Sequence, residues 1–323
     1  MRAIQQTGYG AADVLALADL PAPRPGPGEV LVRVAAAAID RGTWHVMVGR
    51  PYPVRPALGL TRPRRPVPGL DLAGVVAAVG PGVARLREGD RVFGIGEGSL
   101  AELARAREDR LAPAPAALPL EDAAALGVSG MAALQALDDV GRVRAGERVL
   151  ILGASGGVGT FAVQLAVALG AEVTAVCSAA KAAAVRGLGA REVLDYARED
   201  PTAAPGRFDL VIDVAGNRPL ADLRRAMTPE GRLVFVGNEG AGDWFGMFAR
   251  PLRAALAAPF TRQRFAMLVS RERRAGLERL AAHVDAGRIR PVIDRRVPLD
   301  GVAGALRDLE AGRVLGKVLV RIA

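Results

Sequence analysis

The chain has 323 residues, half of them apolar, and a formal net charge of +9 from 43 basic and 34 acidic side chains. A chain of this length can bury a substantial core and is expected to form two domains. It contains no apolar run of about eighteen residues and no apolar region at its start, so we expect a soluble, cytoplasmic protein.

The cysteine, histidine and arginine contents exclude further classes of protein. A single cysteine, Cys177, excludes an intrachain disulfide framework, and two histidines, His45 and His283, make a zinc site hard to assemble. The basic residues are mostly arginines scattered among alanines, without a patch interleaved with aromatic residues. The positive charge therefore does not indicate a nucleic-acid partner.

From residue 1 to about residue 115 the pattern is typical of short strands and turns, not of a nucleotide-binding unit. The predicted strands are MRAIQQT, VLALADL, EVLVRVAAAAI, LDLAGVVAAVG and GDRVFGIG. Asp40 directly follows the third of these strands and is placed to cap a short helix that runs through Met47. A loop rich in proline and arginine, residues 49–68, comes next.

Residues 147–171 carry the most direct chemical signal, after a helical region at residues 120–140. A short apolar run predicts a buried parallel strand, and a glycine-rich turn and a helix follow it. Such a turn binds pyrophosphate, because missing side chains admit the phosphates while free N–H groups and the helix dipole favour their charge. Ala154 replaces the first glycine of the usual G-x-G-x-x-G spacing. The predicted cofactor contacts in this turn are Ser155, Gly156, Gly157 and Val158.

Beyond the turn, apolar strands alternate with helical segments. The predicted strands are GAEVTAVCS, AREVLDY, FDLVIDVAG and GRLVFVG, with helices over residues 180–188 and 219–227. This alternation predicts an α/β fold with a doubly wound parallel sheet.

Residues 238–274 do not fit that alternation and carry a group of aromatic residues among arginines: Trp244, Phe245, Phe248, Phe260 and Phe265. We expect this segment to line a substrate cleft, to pack across a dimer interface, or to contact a membrane surface through residues 241–270, in that order of preference. A helix near residues 277–286 and the strands IRPVIDRRVPL and GKVLVRIA then predict a return to the first domain.

The order of these pieces resembles the medium-chain dehydrogenase/reductase superfamily, and more closely its zinc-free quinone oxidoreductase branch. The resemblance covers essentially the whole chain and rests on EVLVRVAAAAID, PGLDLAGVVAAVGPGV, GDRVFG, GASGGVG and GRVLGKVLV. DRGTWHVMVGRPY and CSAAKAAAVRGLGA also resemble reductases related to the reticulon-interacting mitochondrial protein. The family implies a Rossmann doubly wound parallel sheet plus a GroES-like β-rich catalytic domain, with cofactor and substrate in the cleft between them. The expected limits are 1–118 and 288–323 for the catalytic domain and 119–287 for the cofactor domain.

The zinc alcohol dehydrogenases of that superfamily hold a catalytic metal with a cysteine, a histidine and a second cysteine. Here Asp40 stands about where the first cysteine would be, Leu70 replaces the histidine, and the four-cysteine structural lobe has no counterpart. The resemblance therefore implies no metal. Without a Lewis acid, hydride is expected to reach only an acceptor that is electrophilic on its own, such as a quinone or an α,β-unsaturated carbonyl.

The residues after the second strand of the dinucleotide unit favour NADPH over NADH. An NAD-preferring fold has an acidic residue there, but residues 177–181 read Cys-Ser-Ala-Ala-Lys. Ser178 and Lys181 can hold a 2′-phosphate by a hydroxyl donor and a point charge. The matching serine and lysine, and the tyrosine that Tyr196 resembles, bind NADPH in the quinone reductase relatives. The alternative is that Lys181 is only a solvent-exposed residue at the start of a helix and that Tyr196 only packs at the end of a strand. Gly237 is a further predicted cofactor contact.

Two residues are candidates for catalysis. Asp40 stands where relatives usually carry asparagine, so it either shifts the local proton chemistry or only caps the following helix. Tyr52, in a loop that faces the cleft by resemblance, can donate a hydrogen bond to a carbonyl oxygen, although a loop tyrosine more often packs. Ser129 and Trp44 are weaker candidates, and Asp71 is expected only to order its domain.

Three other functions compete with a quinone or enone reductase. A short-chain dehydrogenase needs a Tyr-x-x-x-Lys pair, and none of the three tyrosines has a lysine four residues later. An enoyl-thioester reductase of the fatty-acid or polyketide kind shares the hydride step and stays open, as does a non-catalytic NADPH-binding sensor. The expected partners are a small-molecule quinone or enone and a second copy of the chain in a homodimer.

Overall fold

The computed structural model describes residues 1–237, 242 and 246–322. Of the aromatic segment, Trp244, Phe245 and the side chain of Phe248 lie outside the described residues. The chain divides into two compact units, one formed by Met1–Met131 and Arg271–Ala323 and the other by Ala132–Ser270. The domain limits expected from the sequence stay a prediction.

The strands and helices follow one another along both units. The strands are β1 (Arg2–Gln6), β2 (Leu15–Asp19), β3 (Glu29–Ile39), β4 (Asp71–Val79), β5 (Arg91–Ile95), β6 (Leu103–Arg107), β7 (Leu111–Pro113), β8 (Arg148–Leu152), β9 (Glu172–Cys177), β10 (Glu192–Asp195), β11 (Phe208–Asp213), β12 (Met227–Phe235), β13 (Arg264–Met267), β14 (Ile293–Pro298) and β15 (Lys317–Arg321). The helices are α1 (Arg41–Val48), α2 (Arg55–Leu58), α3 (Leu120–Ala123), α4 (Gly127–Leu134), α5 (Gly157–Ala168), α6 (Ala179–Arg186), α7 (Leu220–Ala226), α8 (Gly246–Ala257), α9 (Arg274–Asp285) and α10 (Val302–Glu310).

The first unit is built on a sheet with the order β14-β15-β3-β4-β5-β7, in which β6 also pairs with β3. The strand β3 lies at its centre and places Val30, Val32 and Val34 in the core, because alternate residues of a strand point to the same face. The predicted strand pair at the start of the chain is confirmed, since β1 and β2 pair antiparallel. The C-terminal strand β15 pairs antiparallel with the end of β3, which returns the chain to the first unit.

The second unit is a parallel sheet with the order β10-β9-β8-β11-β12-β13. Counted from β8 as the first strand, this order is 3-2-1-4-5-6, the arrangement of a Rossmann fold. The predicted doubly wound sheet is therefore confirmed. The strand order reverses between β8 and β11, and ligands of such sheets bind at the carboxyl ends of the strands near that point.

Two segments differ from the sequence expectation in detail. The helical region at residues 120–140 is not one helix: it comprises α3, α4 and a π-helical stretch, Gln135–Val140. Within residues 238–274, α8 is followed by β13, which pairs with β12 and extends the parallel sheet. The strand was not predicted, because its four residues, RFAM, are too short to show an alternating pattern.

The helix α8 leaves apolar side chains in solvent, with Leu252 61% exposed, Leu256 67% exposed and the nearby Phe260 87% exposed. Among the described residues, no helix is long and apolar enough to cross a membrane.

Candidate functional site

The predicted phosphate turn joins β8 to α5. Gly153 has a φ of +81°, a left-handed conformation that favours glycine, and it lets the chain leave the strand sharply. Gly156 precedes the first turn of α5 in an extended conformation. A Cβ atom at Gly159 would lie 2.1 Å from the carbonyl oxygen of Gly153, so only glycine lets helix and strand approach this closely. The turn therefore presents bare backbone N–H groups at a helix N-terminus.

A cavity of about 420 Å³ lies beside this turn, at the carboxyl ends of the parallel strands. It is lined by residues from the ends of β8 and β9 and from the segments that follow β8, β10 and β11: Leu152, Gly153, Ser155, Val176, Cys177, Tyr196, Ala215, Asn217, Arg218 and Pro219. The structure thus brings together Ser155 and Tyr196, which the sequence analysis proposed separately. None of these lining residues carries a carboxylate, and Arg218 carries a formal positive charge. The cavity and the bare turn fit the pyrophosphate and adenosine part of a pyridine nucleotide.

The other predicted cofactor residues are not among those that line the cavity. Ser178 precedes α6 and its side chain makes no capping hydrogen bond, while Lys181 lies in the first turn of the same helix. Val158 and Gly157 are half-buried in the first turn of α5. Gly237 donates its N–H to the Asp213 carbonyl oxygen, and a Cβ there would lie 2.0 Å from the carbonyl oxygen of Val214.

Cys177 is the last residue of β9 and lines the cavity, but its thiol is not activated as a nucleophile. Burial raises the pKa of its thiol, and the neighbouring Asp195 carboxylate raises it further, although Lys181 and Arg186 oppose this. A thiol with a raised pKa is a poor nucleophile at neutral pH. We therefore assign Cys177 a packing role.

A buried ion pair that the sequence analysis missed lies at the end of β11, before the loop that contributes to the cavity lining. Asp213, at the end of β11, is fully buried and accepts hydrogen bonds from Gly216 N (2.8 Å) and Arg250 Nη2 (2.6 Å). Burial raises the pKa of Asp213, and the Arg250 charge opposes this shift. The carboxylate thereby holds the loop that carries Ala215 and Asn217. The position of Asp213 at the end of a predicted parallel strand is the signal that could have identified it.

The first unit contains a second charged cluster, centred on Lys317. Its Nζ atom lies 2.8 Å from Asp71 Oδ2, 3.2 Å from Ser129 Oγ and 3.7 Å from Asp40 Oδ2. All four side chains are buried, with Lys317 1% and Asp71 0% exposed. Sequence reasoning singled out Asp40, Ser129 and Asp71 one by one but missed the lysine that joins them.

Hydrogen bonds fix the two carboxylates of this cluster differently. Asp71 Oδ1 accepts from Val128 N at 2.6 Å, at the start of α4. Asp40 Oδ1 accepts from Thr43 N (2.7 Å) and Thr43 Oγ1 (3.0 Å), so the predicted cap of α1 is confirmed. Among the described residues, Asp40 Oδ2 is buried without a hydrogen-bond partner. It faces Lys317 across a gap too long for a hydrogen bond.

Burial sets the proton affinities of the cluster. Burial raises the pKa of Asp71 to about 6, because Lys317 offsets only part of the desolvation and the Asp40 charge adds to it. Burial alone lowers the pKa of Lys317, but the two carboxylates raise it above its usual value. Lys317 thus stays charged at neutral pH, and the raised pKa of Asp71 makes it the group of the cluster that exchanges a proton near neutrality.

Tyr52 and Trp44, the other candidates in this unit, lie in aromatic contacts. Arg55 lies 4.7 Å from the Tyr52 ring and 4.6 Å from the Tyr9 ring, so the guanidinium stacks against both. Trp44 lies under Arg41 at 4.8 Å. The ring of Tyr52 therefore has a packing role.

Neither histidine joins a metal-binding group among the described residues, which contain no cluster of three His, Cys, Asp or Glu side chains suited to a metal ion. His45 Nδ1 lies 3.1 Å from the Arg50 carbonyl oxygen. This contact ties the end of α1 to the following loop.

Comparison with known proteins places both units. Residues 26–116 match the family described as the alcohol dehydrogenase GroES-like domain, and residues 188–320 match the family described as zinc-binding dehydrogenase. The chain is 31% identical to a quinone oxidoreductase of Rattus norvegicus, over 99% of this chain and 97% of that protein. It is 33% identical to the 2-methylene-furan-3-one reductase of Solanum lycopersicum, over 99% of this chain and 79% of that protein.

Solved structures agree with these sequence matches. The quinone oxidoreductase from Coxiella burnetii has a TM-score of 0.86 and 28% identity, with 100% of this chain and 99% of that chain covered. An NAD-dependent alcohol dehydrogenase has a TM-score of 0.84 and 29% identity, with both chains covered completely. The expected combination of a GroES-like domain with a Rossmann sheet is confirmed.

Proposed function

The chain belongs to the medium-chain dehydrogenase/reductase superfamily, with quinone oxidoreductases among its homologues, and from this premise we propose that it is a zinc-independent, NADPH-dependent reductase. Its hydride acceptor is a quinone or an α,β-unsaturated carbonyl. That the protein is an oxidoreductase with a pyridine nucleotide cofactor follows from the homologues. The preference for NADPH, the acceptor and the residue roles are the proposal.

The observation that carries the proposal is the cavity beside the glycine turn. The turn offers bare backbone N–H groups to a pyrophosphate, and the cavity lining includes an arginine. No lining residue carries a carboxylate that would repel a phosphorylated ribose. Ser178 and Lys181 begin α6 next to the end of β9, and the Ser178 hydroxyl makes no capping bond. A serine hydroxyl, a lysine and an arginine on one edge of the sheet favour NADPH.

The acceptor follows from what the first unit lacks at the positions of the zinc ligands. Nicotinamide supplies a hydride when it is bound. Asp40 and Leu70 stand where a cysteine and a histidine would hold zinc, so hydrogen bonds must stabilise the developing negative charge. A carbon–carbon double bond that is conjugated to a carbonyl is already electrophilic, so hydrogen bonds to the carbonyl oxygen are sufficient. The rat relative is named for quinones and the tomato relative for a conjugated furanone, which supports this class.

We assign the two catalytic candidates different roles. Tyr52 donates a hydrogen bond from its hydroxyl to the carbonyl oxygen of the acceptor, and Arg55 fixes its ring from 4.7 Å. Asp40 takes part in the proton transfer that completes the reduction. Its Oδ2 atom is suited to that role, because it has no hydrogen-bond partner among the described residues and lies 3.7 Å from Lys317 Nζ.

The test is NADPH consumption with a naphthoquinone, a simple enone, an enoyl thioester and an aldehyde, each with and without a metal chelator. We expect turnover of the quinone or the enone, none of the aldehyde, and no effect of the chelator. NADPH deuterated at the transferable position should leave deuterium on the β-carbon of the reduced enone. Binding of NADPH without turnover would indicate a sensor, turnover of the thioester alone an enoyl reductase, and loss on chelation a metal enzyme. The homodimer and the cytoplasmic location expected from the sequence stay predictions.

A further inference from the structure

Arg218 lines the cofactor cavity, although the sequence analysis did not select it. It follows β11 in the loop that also supplies Asn217 and Pro219, and it shares the cavity with Tyr196 and Ser155. Its side chain is 26% exposed, so it lies at the wall of the cavity and not free in solvent. The lining contains no second formal charge.

Asp200 holds this guanidinium in place. Arg218 Nη1 lies 3.2 Å from Asp200 Oδ1, in the loop that begins after β10. The same oxygen accepts from Thr202 N (3.0 Å) and Thr202 Oγ1 (2.7 Å), and Thr202 is fully buried. These two hydrogen bonds from Thr202, more than the arginine, lower the pKa of Asp200. The carboxylate is therefore an anchored anion, and the arginine is oriented by it.

Most of the hydrogen-bonding capacity of Arg218 remains after this contact. A guanidinium has five N–H donors. Among the residues that the structure describes, its partner is Asp200, which it contacts through one of these donors. An arginine that keeps a fork of donors beside a carboxylate-free cavity is suited to a phosphate, which it can bind in a bidentate manner.

We propose that Arg218 is a specificity-determining residue that binds the 2′-phosphate of the cofactor together with Lys181, while Asp200 positions its guanidinium. The inference rests on the proposed preference for NADPH and deepens it. Stacking of the guanidinium on the adenine ring is the competing role for an arginine in this place. The two roles differ in one respect: only phosphate binding distinguishes a phosphorylated ribose from a plain one.

The test uses two small probes of the adenosine end, 2′,5′-ADP and 5′-AMP, titrated calorimetrically into the full chain. The wild type is compared with Arg218→Gln, with Lys181→Ala and with Arg198→Gln. Arg198 is a matched control, because it carries the same charge close to Tyr196 in sequence but is 84% exposed and lies 3.9 Å from Asp195. The ratio of the two affinities within each variant cancels any loss of folded protein.

We expect the wild type to prefer 2′,5′-ADP, and Arg218→Gln to lower that preference about tenfold with 5′-AMP binding unchanged, since charged hydrogen bonds to phosphate are the strong ones. Lys181→Ala should do the same, and Arg198→Gln should change the ratio less than about twofold. Equal losses for both probes, or an unchanged ratio in Arg218→Gln while Lys181→Ala lowers it, would overturn the role of Arg218 and leave the NADPH proposal intact. A wild type that binds both probes equally would overturn both.

Discussion

The glycine turn of the second unit and the Lys317 cluster of the first unit stabilise negative charge in opposite ways. The turn is made from seven consecutive residues, 153–159, and offers backbone N–H groups to a ligand. The cluster joins side chains from positions 40, 71, 129 and 317, and its charges mostly satisfy one another. The turn is built to receive a partner, and the cluster already contains most of its own.

This difference explains why the two regions respond differently to change. A ligand-binding turn loses affinity when its backbone is covered, but the fold around it can persist. A buried ion pair loses folding free energy when one partner is removed, because the remaining charge has no water to solvate it. Asp40 Oδ2 is the exception within the cluster, since it has no hydrogen-bond partner among the described residues.

Substitution of Lys317 by methionine should have the largest effect on stability. It leaves Asp71 and Asp40 buried without their cation, and we expect the free energy of unfolding to fall by about 3–5 kcal/mol. Chemical denaturation measures it. The control is Arg107→Ala, which breaks an exposed pair with Asp109 and should leave the free energy of unfolding almost unchanged. Equal losses in the two variants would show that the cluster is no more important than a surface pair.

The contribution of Asp71 to stability should be measurable from the pH dependence of the free energy of unfolding. Its pKa is raised to about 6 in the folded chain from 3.8, so the folded state binds the proton more tightly. The stability contributed by this group is complete below about pH 4 and is lost as the pH rises through about 6. Between those values the wild type should lose about 3 kcal/mol relative to Asp71→Asn.

Denaturation of both proteins at several pH values between about 4 and 7 tests this prediction, which is set by the folded pKa near 6. Lys317 does not interfere, since its raised pKa moves its titration to alkaline pH. Parallel curves for the wild type and the variant would contradict the raised pKa of Asp71.

Alanine substitutions at Gly156 and Gly159 should distinguish the ligand-binding role of the turn from its packing role. A Cβ at Gly156 meets its nearest protein atom at 3.6 Å, so Gly156→Ala should fold with a loss below about 1 kcal/mol. The added methyl group occupies the space predicted for the pyrophosphate, and NADPH affinity should fall at least about tenfold. Gly159→Ala should instead destabilise the fold, because its Cβ would lie 2.1 Å from the Gly153 carbonyl oxygen. Fluorescence titration and thermal melts of both variants decide between these outcomes.

Substitutions of Tyr52 and Tyr9 should have the smallest effects, and they can be compared directly because both rings pack on Arg55. Tyr52→Phe keeps the ring and removes the hydroxyl, so its main effect should be on kcat, which we expect to fall about threefold to tenfold. Tyr9→Phe should show the reverse, because the Tyr9 hydroxyl donates to the Gly59 carbonyl oxygen at 2.7 Å. If kcat is unchanged in Tyr52→Phe, Tyr52 only packs.

The sequence predicted those parts of the molecule whose signal is local. The strand, turn and helix around residues 149–168 carry their own pattern, and the cap of α1 by Asp40 depends on residues three apart. Ser155 was predicted from the glycine-rich turn and Tyr196 from its resemblance to a tyrosine of the quinone reductases, and parallel strands bring their carboxyl ends together.

The missed residues are those whose role depends on contacts between distant positions. Lys317 lies 246 residues from Asp71 and is a single charge at the start of an apolar strand, which by itself suggests an exposed end. Arg218 was one arginine among many, and only the cavity and Asp200 distinguish it. The strand β13 was missed because four residues give no period.

A direct titration of NADPH and NADH into the wild-type chain tests the central claim, that the glycine turn and its neighbouring cations hold a phosphorylated pyridine nucleotide. We expect both to bind, with NADPH at least about tenfold tighter, because only its 2′-phosphate reaches Lys181 and the cavity arginine. A chain that does not bind NADPH, or that binds NADH more tightly, would contradict the account.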